Sequence, residues 1–240
     1  VRTVKQHMAA IRMCLDYLVT GGILTTNPAS NVRAPKLSVT KGVTPVLDDD
    51  QVLDLLESID VSKIAGLRDR AIIATMLFGW PRVSAVCGLR VKDYESSGRK
   101  THLFLGEKGG KELRILLHHV AEEYVDAYIK AADIAEDRAG FLFRALDRHR
   151  RLTERKLDRS DILAMVKRRA KKAELPWETI CNHSFRATGI TNYMANGGRI
   201  DAAKEQAGHA DERTTGLYDR SSDKMTKAEV ERMRFERNKQ

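Results

Sequence analysis

The sequence lacks long apolar runs, cysteine motifs and an export signal. No apolar run approaches the roughly 18–20 residues that a membrane span needs, and no basic-then-apolar signal segment opens the chain. The three cysteines, Cys14, Cys87 and Cys181, form no CxxC pair, which argues against a zinc ribbon and a disulfide scaffold. These absences predict a reduced cytoplasmic protein with no membrane partner.

Acidic residues are also in deficit. The 240 residues include 42 Lys and Arg against 33 Asp and Glu, a net charge of +9, which favours a polyanionic partner such as nucleic acid. Residues 144–172 hold twelve of the basic and four of the acidic residues. This segment is either a solvated helix face with a loop or a surface that faces phosphates. The candidate DNA contacts within it are Arg148, Arg150, Arg151, Lys167, Arg168 and Arg169.

Apolar spacing predicts a mainly α protein of the α+β type, with helices around a small antiparallel sheet. Two apolar runs, 102–105 and 113–117, flank Gly109-Gly110 and predict a hairpin with Glu107–Lys111 at its turn. The predicted helices cover 2–20, 48–56, 67–78, 83–89, 120–134, 160–175, 184–195, 200–207, 211–218 and a last one from Thr226. A polar stretch from Lys36 to Thr44, bounded by Pro35 and Pro45, indicates a linker, predicted at 37–46, between residues 1–36 and a larger domain, 47–240.

Five scattered side chains could together cleave a phosphodiester. Arg82 and Arg186 can each grip phosphate oxygens and neutralise the charge that builds up in an in-line displacement. His183 could move protons near neutral pH, and Lys108 on the hairpin could protonate a leaving alkoxide. Tyr218 could hold a phosphoryl group covalently. No paired carboxylates of the kind found in two-metal nucleases accompany them.

In this order, Arg82, Lys108, His183-x-x-Arg186, Gly208-His209 and Tyr218 resemble the tyrosine recombinase (phage integrase) family over about residues 47–223. The resemblance implies an enzyme that breaks and rejoins DNA strands through a 3′-phosphotyrosine, with no metal and no other cofactor. Arg82 and Arg186 would then stabilise the transition state, His183 would be the acid/base, and His209 would donate to phosphate. Lys108 would be the general acid and Tyr218 the nucleophile.

The resemblance also implies that residues 1–36 are the end of a helical core-binding domain. It implies that the chain acts on double-stranded DNA to integrate or excise a mobile element, as a homo-tetramer joined through its C-terminal helix. Val230 and Met233 could dock that helix on a neighbouring protomer or on the chain's own core.

Several observations leave other functions open. Ala85 stands where the family commonly has Glu, and Pro81 directly precedes Arg82. A topoisomerase of the type IB kind, which shares this chemistry but acts alone, remains an alternative. So does a non-catalytic DNA-binding protein whose site is disrupted by truncation or by Pro81. We expect no metal at His118-His119, because adjacent side chains on a regular element diverge.

Overall fold

The computed structural model describes residues 2–35, 44–98, 100–106, 112–208 and 227–235, and the chain divides into two units, Val1–Val43 and Thr44–Gln240. The helices are α1 (Arg2–Thr20), α2 (Asp49–Glu57), α3 (Ile64–Gly79), α4 (Val83–Gly88), α5 (His119–Ala132), α6 (Arg159–Lys172), α7 (Asn182–Ala195), α8 (Ile200–Ala207) and α9 (Lys227–Val230). The strands are β1 (Tyr94–Ser97), β2 (Lys100–Gly106), β3 (Glu112–Leu116), β4 (Arg144–Leu146) and β5 (Leu152–Lys156). The mainly α fold class is confirmed, whereas the predicted helix 211–218 and the hairpin tip lie outside the described residues.

The first unit is α1 followed by a short connection. The helix ends where Gly22 takes a left-handed conformation, with φ at +72°. Asn27 returns to the helix, and its side-chain amide donates to the Arg12 carbonyl at 3.1 Å and to Asp16 at 2.6 Å. The apolar stripe of α1 is partly exposed in this unit, since Ile11 retains 54% of its accessible surface.

The centre of the second unit is α3. Thirteen of its sixteen residues are buried, because α5 and α7 both pack against it. Its second half, residues 71–79, is apolar or small on every side apart from Thr75, as expected of a helix surrounded in this way, whereas Arg68 and Asp69 are buried near its start. Gly189 of α7 allows the closest approach, since a Cβ there would lie 1.9 Å from the Leu77 carbonyl oxygen.

An antiparallel sheet in the order β1-β2-β3 covers another part of this core. The predicted hairpin strands are present as β2 and β3, with Leu103 opposite Ile115. Alternate residues of β2 face inward, as its period-two burial shows. Sequence periodicity missed β1, because only Tyr94 of its four residues is apolar and buried.

The basic segment contains a second, two-stranded sheet formed by β4 and β5. The sequence does not indicate these strands, because they have three and five residues and little apolar alternation. Arg150, in the turn between them, has a left-handed backbone with φ at +63°.

The segment 227–235 packs on the second unit's own core. Val230 is fully buried, Met233 is 2% exposed, and Phe235 meets Phe78 edge to face. Its helix α9 is a single turn, and Thr226, where the last helix was predicted to begin, lies outside the described residues. The sequence left two alternatives for this segment, docking on a neighbouring protomer or on the chain's own core, and in this structure it packs on its own core.

Across the part of the chain that the structure describes, no helix combines the length and apolarity needed to cross a bilayer.

Candidate active site

Two arginines from distant parts of the chain meet at the C-terminal end of α8. Arg82 donates from Nη2 to the Gly208 carbonyl at 3.2 Å. Arg186 donates from Nη2 to the preceding carbonyl, that of Ala207, at 2.6 Å. Because these carbonyls belong to consecutive residues, both guanidinium groups bind at the same end of α8.

Arg186 is also held by the end of α3. Its Nη1 donates to the carbonyl of Trp80, which caps α3 in a left-handed conformation, with φ at 59°. That conformation is unusual for a bulky residue, and here the fully buried indole fixes it. Pro81 cannot continue the helix, so the chain turns there and reaches Arg82 at the start of α4. Pro81 is thus compatible with the pairing of the two arginines.

The two arginines differ in exposure. Arg186 is only 9% exposed on α7, whereas Arg82 is an exposed N-terminal cap residue of α4. Arg82 therefore presents its charge to solvent, while Arg186 also ties α7 to α3 and α8.

His183 lies in the first turn of α7, one turn before Arg186, and its side chain is exposed. It lines an open cavity of about 530 Å³ together with Val83, the residue after Arg82. The N-terminal end of α6 forms the opposite wall through Arg159, Ser160 and Leu163. The charged lining residues are Arg159 and Asp158, and His183 can transfer protons, so the cavity offers an anionic substrate one cation and one proton-transfer group beside a single carboxylate.

Gln206 fixes α8, and sequence reasoning missed it. Its side chain donates to the Leu116 carbonyl at 2.8 Å and accepts from the Leu116 amide at 3.3 Å. These two bonds join α8 to the end of β3 and so hold the carbonyls that bind the arginines. No local sequence signal indicates this role, because its partner lies 90 residues away.

The remaining predicted catalytic residues, Lys108, His209 and Tyr218, lie outside the described residues. In sequence, His209 directly follows the Gly208 whose carbonyl binds Arg82. Tyr218 lies between Gly208 and α9, each of which contacts the second unit's body. The structure therefore brings together Arg82, Arg186 and the cavity at His183.

The expected divergence of His118 and His119 is wrong. His118 is the N-cap of α5 with extended backbone, so its ring stacks on that of His119 at 4.4 Å. Both rings contact the Glu231 carboxylate, and the three ligand-type atoms lie within 4.8 Å of one another. However, His118 Nδ1 accepts from the Val120 amide, which leaves its proton on Nε2 facing Glu231.

The Lys227 ammonium lies 3.4 Å from the same Glu231 carboxylate. A protonated Nε2 and an ammonium group suit a hydrogen-bonded carboxylate better than a cation site. Burial lowers the pKa of His118 to about 4, which keeps this ring neutral.

The candidate DNA contacts in the basic segment differ in burial. Arg169 is 9% exposed and its guanidinium bonds Asp69 at 2.7 Å, so its side chain serves the interior. Arg148, Arg150, Arg151 and Arg168 are exposed, and Lys167 is half-buried with its ammonium on the Glu178 carbonyl.

Comparison with known proteins identifies the class of this helical domain, with its paired arginines and adjacent histidine. The phage integrase family matches residues 45–225. The chain is 30% identical over 218 residues to tyrosine recombinase XerC of Myxococcus xanthus, covering 89% of this chain and 69% of the relative. It is 29% identical to tyrosine recombinase XerD of Listeria monocytogenes, covering 90% of this chain and 71% of the relative.

Solved structures show the same fold. The integrase from mycobacterium phage Brujita aligns with a TM-score of 0.61 at 20% identity, covering 99% of this chain and 74% of that one. A lambda integrase dimer bound to a COC′ core site aligns with a TM-score of 0.60 at 19% identity, covering 85% and 68%. The chain belongs to the phage integrase family. It is a tyrosine recombinase, an enzyme of site-specific recombination that cuts and rejoins DNA.

Proposed function

We propose that this chain cleaves duplex DNA with Tyr218 as nucleophile, at a site built around Arg82, His183 and Arg186. The observation that carries the proposal is the pairing of Arg82 and Arg186 on consecutive carbonyls of Ala207 and Gly208. Two fixed guanidinium groups can neutralise one phosphodiester as its charge increases in the transition state.

The chemistry is a transesterification. The Tyr218 phenolic oxygen attacks phosphorus and gives up its proton to His183, and the bond from phosphorus to the 5′-oxygen breaks. Lys108 protonates that oxygen, which leaves a 3′-phosphotyrosine and a free 5′-hydroxyl. His209 donates a hydrogen bond to the phosphate. A 5′-hydroxyl from a partner strand then reverses the step, so no metal or external energy source is required.

The exposed basic side chains of residues 144–172 would add phosphate contacts outside the reacting group. The candidates are Arg148, Arg150, Arg151, Lys167 and Arg168. Arg169 leaves this set because its guanidinium bonds the buried Asp69.

We also propose a domain arrangement and a biological role for the whole enzyme. Residues 1–36 would be the end of a core-binding domain, joined by the linker 37–46 to the catalytic domain 47–240. The partly exposed apolar stripe of α1 fits a helix that packs in a larger helical domain. In the cytoplasm the enzyme would integrate or excise a mobile element, an activity supported by the similarity to phage integrases.

A homo-tetramer on DNA is proposed by analogy with the solved lambda integrase tetramer bound to a Holliday junction. In this chain the C-terminal segment packs on its own core through Val230 and Met233. Tetramer formation through that segment would therefore require it to leave this core and dock on a neighbour.

Strand exchange can be tested with two labelled duplexes that carry the target site, compared with relaxation of one supercoiled circle. We expect recombinant duplexes from the wild-type protein and none from Tyr218→Phe. Relaxation of the circle without recombinants would show a topoisomerase that acts alone, and would contradict the strand-exchange proposal.

A further inference from the structure

The buried face of α8 consists mostly of small side chains. Its buried residues are Ala202, Ala203, Gln206 and Ala207. An alanine side chain is a single methyl group, so each alanine contributes little of the apolar contact that usually holds a helix in place. Gln206 is the largest of the four and is only 3% exposed. The position of α8 therefore depends strongly on what Gln206 binds.

Gln206 binds both backbone groups of one residue, Leu116, at the end of β3. A carboxamide that pairs with the N–H and the C=O of the same residue is fixed in direction as well as in position. Leu116 is 4% exposed and stands opposite His102 of β2. The next amide, that of Leu117, bonds the Thr101 carbonyl at 2.8 Å. The paired strands β2 and β3 therefore give α8 a fixed anchor.

The two carbonyls that bind the site arginines come directly after Gln206 in the chain. Ala207 accepts from Arg186, and Gly208 accepts from Arg82. Gly208 ends α8 in a left-handed conformation, with φ at 58°. Carbonyls at the C-terminal end of a helix carry partial negative charge, which suits a guanidinium group. A displacement of Gln206 would therefore move both carbonyls and the guanidinium groups that they orient.

We propose that Gln206 is a positioning residue for DNA cleavage, whose bonds to Leu116 place α8 where it orients both site arginines on the scissile phosphate. The inference rests on the proposed function, which assigns Arg82 and Arg186 to that phosphate. Gln206 acts through these arginines and takes no part in attack or proton transfer. Catalysis by fixed charges depends on their placement, and a displacement of about 1 Å can slow a reaction by about 100-fold.

A role in placing the arginines differs from a role in stability in its effect on two kinds of substrate. A methylphosphonate diester has a methyl group in place of one nonbridging oxygen and is uncharged. Its transition state therefore needs less neutralisation by guanidinium groups than that of a natural phosphodiester. Misplaced arginines should slow cleavage of the phosphodiester much more than cleavage of the methylphosphonate, whereas a loosened fold should slow both alike.

The test uses the full chain and one nicked duplex, made once with a natural scissile phosphate and once with a methylphosphonate at that position. Gln206→Met removes both bonds to Leu116 with little change in side-chain length. We expect it to slow formation of the covalent adduct on the phosphodiester by at least about tenfold. Its rate on the methylphosphonate should stay close to that of the wild type.

A second variant keeps the carboxamide and changes only its reach. The side chain in Gln206→Asn is one methylene shorter, so it can bond Leu116 only if α8 moves toward β3. We expect the same selective slowing on the phosphodiester, with a melting temperature closer to that of the wild type. This variant decides the question if Gln206→Met does not fold.

Two further variants calibrate the comparison. Arg82→Ala removes one guanidinium directly and should be slowed selectively on the phosphodiester. Tyr94→Phe is the matched control, because its hydroxyl bonds Asp126 at 2.6 Å and so joins the same sheet to α5 and not to α8. Its rates on the two duplexes should change by the same factor.

The outcomes separate this inference from the proposed function. A wild-type protein that forms no adduct, or an Arg82→Ala variant that is equally slow on both duplexes, would overturn the proposed function. If the wild type and Arg82→Ala behave as expected, equal slowing of both duplexes by the Gln206 variants, or no slowing at all, would overturn the inference alone. Selective slowing on the phosphodiester by the Gln206 variants supports it.

Discussion

At the residue scale, the two site arginines have unequal structural roles. Arg186 is buried and bonds the carbonyls of Trp80 and Ala207, so it joins α7 to both α3 and α8. Arg82 is exposed, and its Nη2 donates to the Gly208 carbonyl at 3.2 Å. The same residue type should therefore respond differently to truncation at these two positions.

We expect Arg82→Ala and Arg186→Ala each to slow DNA cleavage by at least ~10²-fold, the usual effect of losing one transition-state donor. Only Arg186→Ala should also lower the free energy of unfolding, by about 1–3 kcal/mol, because it leaves buried carbonyls without a donor. Single-turnover cleavage and urea unfolding measure the two effects. Near-normal cleavage by both variants would remove these residues from the site.

Gly189 sets the approach of α7 to α3. In Gly189→Ala the new Cβ would lie 1.9 Å from the Leu77 carbonyl oxygen and 2.4 Å from Trp80 Nε1. The helices must separate, so we expect a loss of about 1–3 kcal/mol of stability and slower cleavage, because Trp80 binds Arg186. Gly88→Ala is the control, since a Cβ there meets nothing within 4 Å. Equal melting temperatures for the two variants would contradict this account.

The sequence indicates candidate site residues by their chemistry, but it does not show which distant residues they contact in the fold. Arg82, His183 and Arg186 could be predicted from their types and order. Gln206 and Asp69 could not, because each acts through contacts that only the fold creates. Gln206 binds Leu116, and Asp69 binds Arg168 and Arg169, which lie about a hundred residues further along the chain.

At the scale of elements, the hydrophobic period and the length of a segment determine whether the sequence predicts a helix or strand there. The long helices α1, α3, α5 and α6 have enough apolar positions to show a pattern, and the β2–β3 hairpin has a glycine turn. The strands β1, β4 and β5 have three to five residues and polar faces, so pairing with a neighbour defines them more than their own pattern does.

The start of α5 anchors the C-terminal segment through ionisable groups. Glu231 contacts His118 at 3.2 Å and bonds His119, and Lys227 contacts both Glu231 and Glu122. Burial lowers the pKa of His118 to about 4, and His119 and Lys227 act in the same direction. Burial alone would raise the pKa of Glu231, but the two histidines lower it.

We expect stability to fall as the pH decreases from about 6.5 to 4. In this pH window His118 binds a proton in the unfolded state but not in the folded state. Lowering the pH therefore stabilises the unfolded state. His118→Asn keeps an N-cap acceptor for α5 and removes this titration. Urea unfolding between pH 7 and 4 should show a shallower pH dependence for the variant, by no more than about 3 kcal/mol over the window. Parallel curves for the two proteins would show that His118 titrates normally.

At the scale of the whole molecule, the basic residues that cluster in 144–172 lie on and between β4, β5 and α6. The basic segment forms the β4–β5 turn and α6, and α6 lines both the His183 cavity and a second cavity beside Arg150 and Arg168. The same segment also supplies interior cations such as Arg144 and Arg169, which the net charge alone could not distinguish from surface ones.

The central claim is that Tyr218 attacks a phosphodiester held by Arg82, His183 and Arg186. The most direct measurement uses a duplex nicked near the cleavage site, incubated in EDTA and resolved on a denaturing gel, because loss of the short fragment traps the covalent intermediate. We predict a protein–DNA adduct with the wild type, none with Tyr218→Phe, and a strong decrease with Arg186→Ala. An adduct that persists in Tyr218→Phe, or a wild-type protein that binds the duplex without forming one, would contradict this account.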